Sequence, residues 1–116
     1  MAPDAAQALR QRLRADIKAA MQARDGTGTR LLRALLAAID NAQAVPAEPP
    51  ALPNRFGQGT SEVPRRALTE ATLHAVLAAE IAERERAADE IARHGRPDDA
   101  ARLRAEAAVV RRYFTP

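Results

Sequence analysis

Alanine dominates the apolar content of this chain, and this limits the core that the chain can build. The sequence has 116 residues, of which 29 are Ala and only 24 are Leu, Ile, Val, Met or Phe. A chain of this length supports one domain with a modest core. Because Ala and Arg are strong helix formers, and β-branched and aromatic residues are scarce, the composition predicts an all-α fold.

The composition also excludes several classes of protein. The sequence contains no Cys and no Trp, so it is not a disulfide scaffold, a Cys-zinc module or a cysteine enzyme. No apolar run approaches the roughly 18 residues that span a bilayer. The first residues, Met-Ala-Pro-Asp, lack the basic region of a signal peptide. We therefore expect a soluble cytoplasmic protein with no membrane contact.

The spacing of apolar residues predicts two helices in the first part of the chain. Helix 1 is expected over residues 5–24, and helix 2 from a cap at Thr29 to Ala44. Gly26 and Gly28 are expected to interrupt the helical path between them. The predicted inward stripe of helix 1 is Ala6, Leu9, Leu13, Ile17, Ala20 and Met21.

Helix 2 has the widest apolar face in the chain. The residues of this face are Leu31, Leu32, Leu35, Leu36 and Ile39. A helix that is apolar over so much of its circumference must be covered on more than one side, so we expect it at the centre of the fold. Ala34, Ala37 and Ala38 are expected to let neighbouring helices approach it closely.

Residues 45–68 have a different character. They hold five of the eight prolines and show no helical period. Such a segment predicts a flexible loop with polyproline II character. It is either a tolerated insertion or a segment that docks a protein partner.

Local signals predict two more helices joined by a short turn. Helix 3 is expected from a cap at Thr69 to about His94, with Gly95 in the C′ position. Pro97 suits the first position of helix 4. The four-residue break between helices 3 and 4 predicts an antiparallel hairpin. The chain is therefore expected to form a single-domain bundle of about four helices.

Charge is distributed unevenly along the chain. Counting from the sequence, residues 1–44 carry a net +3, whereas residues 69–116 carry −1 because acids and arginines interleave there. Two pairs in helix 3, Glu80/Arg84 and Asp89/Arg93, have the favourable i,i+4 order. Basic residues recur every four positions in helix 1 and predict a basic ridge. This ridge either contacts phosphate groups or is a solvated surface. The candidate contacts for nucleic acid or a partner are Arg10, Arg14, Lys18, Arg30 and Arg33.

Few residues in the sequence are suited to catalysis. Ser61 is the only serine, and His74 and His94 are 20 positions apart in no metal-ligand spacing. His74 lies one turn after Glu70, which favours a surface pair over a catalytic base. No catalytic, metal-ligating or cofactor-binding residue is predicted.

Several motifs carry a family resemblance. They are Ala23-Arg24-Asp25, the run from Leu32 to Ala42, Glu80-Ile81 with Arg84 and Ala87, the segment from Gly95 to Ala101, and Glu106 to Tyr113. In this order they resemble the N-terminal half of the YqeY family, also called GatB/YqeY-like proteins. The resemblance covers nearly the whole chain except residues 45–68.

The resemblance implies a link to translation. Typical members join this helical half to a domain similar to the tail of GatB, the tRNA-handling subunit of a glutamine-dependent amidotransferase. The family is therefore associated with carbon–nitrogen ligase activity that uses glutamine as amide donor. The sequence stops at Pro116, where a typical member continues, so the tail-like half is expected to be missing. The Pro-rich segment and Gly26-Thr27-Gly28 also depart from the family pattern.

The resemblance favours an accessory protein that binds tRNA or an amidotransferase subunit. Amide transfer needs a nucleophile, an ATP-phosphate site and an acceptor site, and the sequence predicts none of them. We therefore expect no catalysis by the isolated chain. The alternative is a stand-alone helical module that binds a protein partner, and a homodimer through helix 2 is also open.

Overall fold

The computed structural model describes residues 5–44 and 69–114, which form four α-helices and no strand. The all-α prediction is therefore confirmed. The Pro-rich segment 45–68 lies outside the described residues. None of the four helices is both long and apolar enough to cross a bilayer. The helices are α1 (Ala5–Gln22), α2 (Gly26–Ala44), α3 (Glu70–Arg93) and α4 (Pro97–Phe114).

The helices are arranged as two hairpins that share one core. Helix α1 packs chiefly on α2, and α3 packs chiefly on α4, which confirms the predicted hairpin of the last two helices. Both α1 and α2 also contact α3, so apolar residues of all four helices meet in a single cluster. The largest fully buried side chains are Leu13, Leu35, Ile39, Leu77 and Val110.

The leucine face of α2 is covered as predicted. Leu31, Leu32 and Leu35 are buried, and Leu36 packs partly buried against the core. The expectation for the α2 alanines is wrong for Ala34 and Ala37, which lie on the exposed side of the helix, whereas Ala38 is partly buried.

Alanines permit close helix approach in the other hairpin. Ala88, Ala100 and Ala107 of α3 and α4 are completely buried. These small side chains let the two backbones pack closely, at the cost of side-chain volume in the core.

Both hairpins turn through the same hydrogen-bonded motif. The Asp25 N–H donates to the Ala20 carbonyl oxygen at 2.9 Å, and the Arg24 N–H donates to Met21 at 3.0 Å. This pair of bonds is a Schellman motif, with Arg24 in the left-handed C′ position at φ 59°.

The second turn repeats these bonds. The Arg96 N–H donates to Ile91 at 3.3 Å, and the Gly95 N–H donates to Ala92 at 3.0 Å. Gly95 is the predicted C′ residue and has φ 76°, where the lack of a Cβ removes the steric cost. Helix α4 then begins at Pro97, as predicted.

The predicted cap of α3 is also confirmed. The Thr69 hydroxyl accepts a hydrogen bond from the Thr72 N–H at 3.0 Å. This bond satisfies one of the N–H groups that the first turn of a helix leaves without an intrahelical partner.

The junction between α1 and α2 differs from the prediction. Helix α1 ends at Gln22, and α2 begins at Gly26 instead of Thr29. The Asp25 carboxylate is the cap, because Oδ1 accepts from the Gly28 N–H at 2.9 Å. Both glycines therefore lie in the first helical turn, and the Thr29 hydroxyl donates to the Asp25 carbonyl oxygen at 2.8 Å.

The prediction that Met21 lies on the inward stripe of α1 is wrong. Its side chain is 52% exposed, whereas Ala6, Leu9 and Leu13 are buried and Ile17 is partly buried. Met21 lies at the last turn of α1, beside α2, where its sulfur accepts a contact from the Arg33 guanidinium at 3.4 Å.

Candidate nucleic-acid interface

Four of the five predicted contact residues lie on the surface of the α1–α2 hairpin. The exposed residues are Arg14, Lys18, Arg30 and Arg33. The fifth, Arg10, is buried, so its place on an exposed ridge has to be corrected.

The burial of Arg10 follows from helix geometry and a partner distant in sequence. A four-residue step turns an α-helix by about 400°, so the row drifts by about 40° at each step. Arg10 is thus nearest to the core and Lys18 furthest from it. The Arg10 Nε donates to Asp40 Oδ1 of α2 at 2.8 Å. Arg10 therefore links α1 to α2 through this ion pair.

The exposed cations lie on one side of the hairpin. Arg14 and Lys18 share a stripe of α1 with Met21, at steps of four and three residues. Met21 in turn contacts Arg33 of α2, and Arg30 lies one turn before Arg33. The stripes of the two helices are therefore neighbours and form one positive surface.

Arg24 extends this surface, although the sequence reasoning did not select it. It occupies the turn between the helices and lines an open hollow together with Arg30 and Arg33. In the sequence, the position of Arg24 directly before Asp25 and Gly26 was the signal that it lies in the turn. We call the exposed set the basic face, which consists of Arg14, Lys18, Arg24, Arg30 and Arg33.

The cations of the basic face have no carboxylate partner in the part of the chain that the structure describes. Within residues 5–44 and 69–114, no Asp or Glu oxygen lies within 4.0 Å of any of them. Their positive field therefore remains available to an anionic ligand.

The α3–α4 hairpin has the opposite arrangement, because five of its eight arginines are in ion pairs. Arg84 contacts Glu80 at 2.8 Å, as predicted, and also Glu106 at 3.3 Å. The predicted Asp89/Arg93 pair is replaced by an interhelical pair, since Asp89 contacts Arg104 at 3.0 Å. The remaining paired arginines are Arg96 and Arg102 with Asp99, and Arg111 with Glu85.

A polar cluster joins α1 to the end of α4. The Tyr113 hydroxyl donates to the Asp16 carboxylate. The Arg12 guanidinium lies 4.5 Å from the centroid of the Tyr113 ring, and its Nη2 donates to the Arg112 carbonyl oxygen at 3.3 Å. Burial, followed by the hydrogen bond to Asp16, raises the pKa of Tyr113 to about 12. The cluster therefore holds a neutral tyrosine and fixes the two hairpins to each other.

The two histidines, the remaining described candidates, have structural contacts. His74 packs edge-on against Phe114, with ring centroids 4.9 Å apart, instead of forming the expected pair with Glu70. His94 caps the C-terminus of α3. Among the described residues, no three His, Asp or Glu side chains come close enough to hold a metal ion. Ser61 and the possible docking segment 45–68 lie outside the described residues.

Comparisons with family models, curated proteins and solved structures find no match to this chain. The resemblance to the YqeY family therefore stays a prediction that rests on the motifs themselves.

Proposed function

We propose that the protein is an RNA-binding accessory factor that binds tRNA through the basic face of its α1–α2 hairpin. The observation that carries the proposal is the grouping of five exposed cations on one side of this hairpin, none of which has a carboxylate partner among the described residues. Arginine and lysine bind phosphate through charge-assisted hydrogen bonds and release counterions from the nucleic acid. A surface of this kind recognises the RNA backbone.

The chemistry of this surface favours backbone contacts over base recognition. Base stacking needs aromatic side chains, and the sequence has only Phe56, Tyr113 and Phe114. Tyr113 is engaged by Asp16 and Arg12, and Phe114 by His74. We therefore propose binding that depends strongly on salt and weakly on sequence.

The YqeY-like motifs support a role in tRNA-dependent amidation or translation. In this role the chain presents tRNA, or docks on an amidotransferase subunit, and the partner supplies glutamine-dependent carbon–nitrogen ligation. The described residues offer a charged surface instead of a reactive cluster, which fits an accessory role.

Titration of labelled tRNA at low and moderate salt tests the proposal. If four phosphates are contacted, a fourfold rise in salt weakens binding roughly 100-fold. Replacing Arg14, Lys18, Arg30 and Arg33 by Ala lowers the slope of log affinity against log salt by about 3–4.

A control variant on the other hairpin tests the effect of losing positive charge in general. Arg86 and Arg93 are exposed on α3, and no described carboxylate lies within 4.0 Å of either. Their replacement by Ala leaves the salt slope unchanged if the basic face is the binding site. No binding of tRNA at low salt would refute direct RNA recognition and favour the protein partner.

A further inference from the structure

The two hairpin turns differ in the residue that occupies the left-handed C′ position. Their hydrogen bonds are the same, and each turn places one residue in the left-handed region. In the α3–α4 turn this residue is Gly95, whereas in the α1–α2 turn it is Arg24. A left-handed conformation disfavours a side chain with a Cβ, so Arg24 opposes the stability of its own turn.

The Arg24 side chain borders a hollow with a concentrated positive charge. The hollow has a volume of about 500 Å³ and is lined by Arg24, Arg30 and Arg33. Asp25 also borders it, but this carboxylate accepts the Gly28 N–H at 2.9 Å and caps α2. Three arginines thus line the hollow, beside one short carboxylate that is already hydrogen-bonded.

We propose that this hollow binds a terminal phosphate monoester of an RNA chain. The inference rests on the proposed function, because it assigns one subsite of the basic face to the end of the bound RNA. A monoester carries about −1.5 to −2 charges and three acceptor oxygens near neutral pH. A backbone diester carries one negative charge, so three guanidinium groups discriminate in favour of the monoester.

The geometry of the guanidinium group explains why arginine lines the hollow. Each guanidinium offers a planar fork of donors that matches two phosphate oxygens. A terminal phosphate is joined to the RNA chain on one side only. An open hollow at a hairpin turn therefore has room for the phosphate and for the chain that leaves it. Arg14 and Lys18, further along α1, then contact the diesters that follow.

The experiment compares three RNA oligonucleotides of the same sequence. One carries a 5′-phosphate, one a 3′-phosphate and one no terminal phosphate, and each is labelled internally for fluorescence anisotropy at low salt. We expect one phosphorylated form to bind about tenfold more tightly than the unphosphorylated form. This preference increases from about pH 5 to about pH 7.5, because the second ionisation of the monoester falls near pH 6.

The Arg24→Gly variant separates binding from folding. Glycine relieves the left-handed position, so the melting temperature rises or stays the same. The preference for a terminal phosphate falls at least fivefold, while binding of unphosphorylated RNA changes less. Arg86→Ala on α3 is the matched control and leaves the preference intact.

The outcomes distinguish this inference from the proposed function. Equal affinity for all three oligonucleotides overturns the monoester subsite and leaves RNA binding by the basic face in place. A full preference that persists in Arg24→Gly overturns the assignment to this hollow. If no oligonucleotide binds at low salt while tRNA does, the inference is overturned and the proposed function stands; if tRNA does not bind either, both are refuted.

Discussion

Asp40→Ala removes the described carboxylate that neutralises a buried arginine. Arg10 Nε lies 2.8 Å from Asp40 Oδ1, and the two side chains are 8% and 43% exposed. The buried Arg10 Nη2 has no hydrogen-bond partner among the described residues. The substitution therefore leaves a guanidinium group in the protein interior without its counter-ion.

The exposure of Asp40 sets the size of the expected loss. Breaking a fully buried ion pair costs about 3–5 kcal/mol. Water reaches the Asp40 carboxylate and screens the pair, so we expect the smaller loss of about 1–3 kcal/mol that follows from leaving a buried donor unsatisfied. With a urea m-value of about 2 kcal/mol/M, a loss of 2 kcal/mol lowers the unfolding midpoint by about 1 M.

Urea unfolding followed by circular dichroism measures this loss. The control is Arg10→Met, alone and combined with Asp40→Ala, because Met retains an apolar stem and removes the charge. Replacing a buried pair by apolar groups is often neutral or stabilising. We therefore expect the double variant to be more stable than Asp40→Ala alone.

Two results would refute this reasoning. One is an Asp40→Ala variant whose stability lies within about 0.5 kcal/mol of the unchanged protein, which is the range of ordinary surface substitutions. The other is a double variant as unstable as Asp40→Ala. Since Arg10 is committed to Asp40, Arg10→Met should also retain tRNA affinity within about twofold.

Three further predictions concern the core, a titrating group and the α1–α2 turn. Leu35→Ala should lose about 2–5 kcal/mol in urea unfolding, because Leu35 is completely buried; a loss below about 1 kcal/mol would contradict its central place. Tyr113 is the only Tyr in a chain without Trp, so tyrosinate absorbance should report a midpoint at about pH 12 that falls in Asp16→Asn. Because the folded state favours the neutral Tyr113 phenol, the raised pKa stabilises the protein below about pH 10, and this stabilisation is lost as the pH rises through about 12. An absorbance midpoint near pH 10 in the native protein would contradict this. Gly26→Ala should raise the unfolding free energy by about 0.5–1 kcal/mol, since a Cβ there meets open space, whereas Gly28→Ala should show no such gain because its Cβ overlaps the Asp25 carboxylate.

Local signals in the sequence predicted much of the fold. The Thr69 cap, the Gly95 turn and the start of α4 at Pro97 each depend on the chemistry of a few neighbouring residues. The leucine period of α2 predicted its buried face for the same reason. The start of α2 was predicted wrongly because a helix tolerates glycine in its first turn when Asp25 caps it.

Interactions between helices explain the errors. The periodicity of α1 places Arg10 at the edge of the apolar stripe, but only Asp40, 30 positions later, decides that it is buried. Met21 is exposed because it lies beside Arg33 and not under a covering helix. Asp89 likewise pairs with Arg104 of α4 and not with Arg93 of its own helix.

The candidate site was partly accessible from sequence. The uneven charge of the chain and the four-residue spacing of basic residues in helix 1 predicted five contacts. The structure leaves Arg14, Lys18, Arg30 and Arg33 exposed on the α1–α2 hairpin and buries Arg10. Arg24 was missed because its role depends on the turn that brings α1 and α2 together.

The central claim is that the basic face of the α1–α2 hairpin binds RNA. Amide chemical shifts of isotope-labelled protein, recorded while tRNA is added at low salt, test this claim most directly. We predict that the shifts change along α1 from Arg14 to the Arg24 turn and in the first half of α2. The exposed side of α3 and α4 should remain unchanged. Shifts concentrated on α3 and α4, or no shifts at all, would contradict the account.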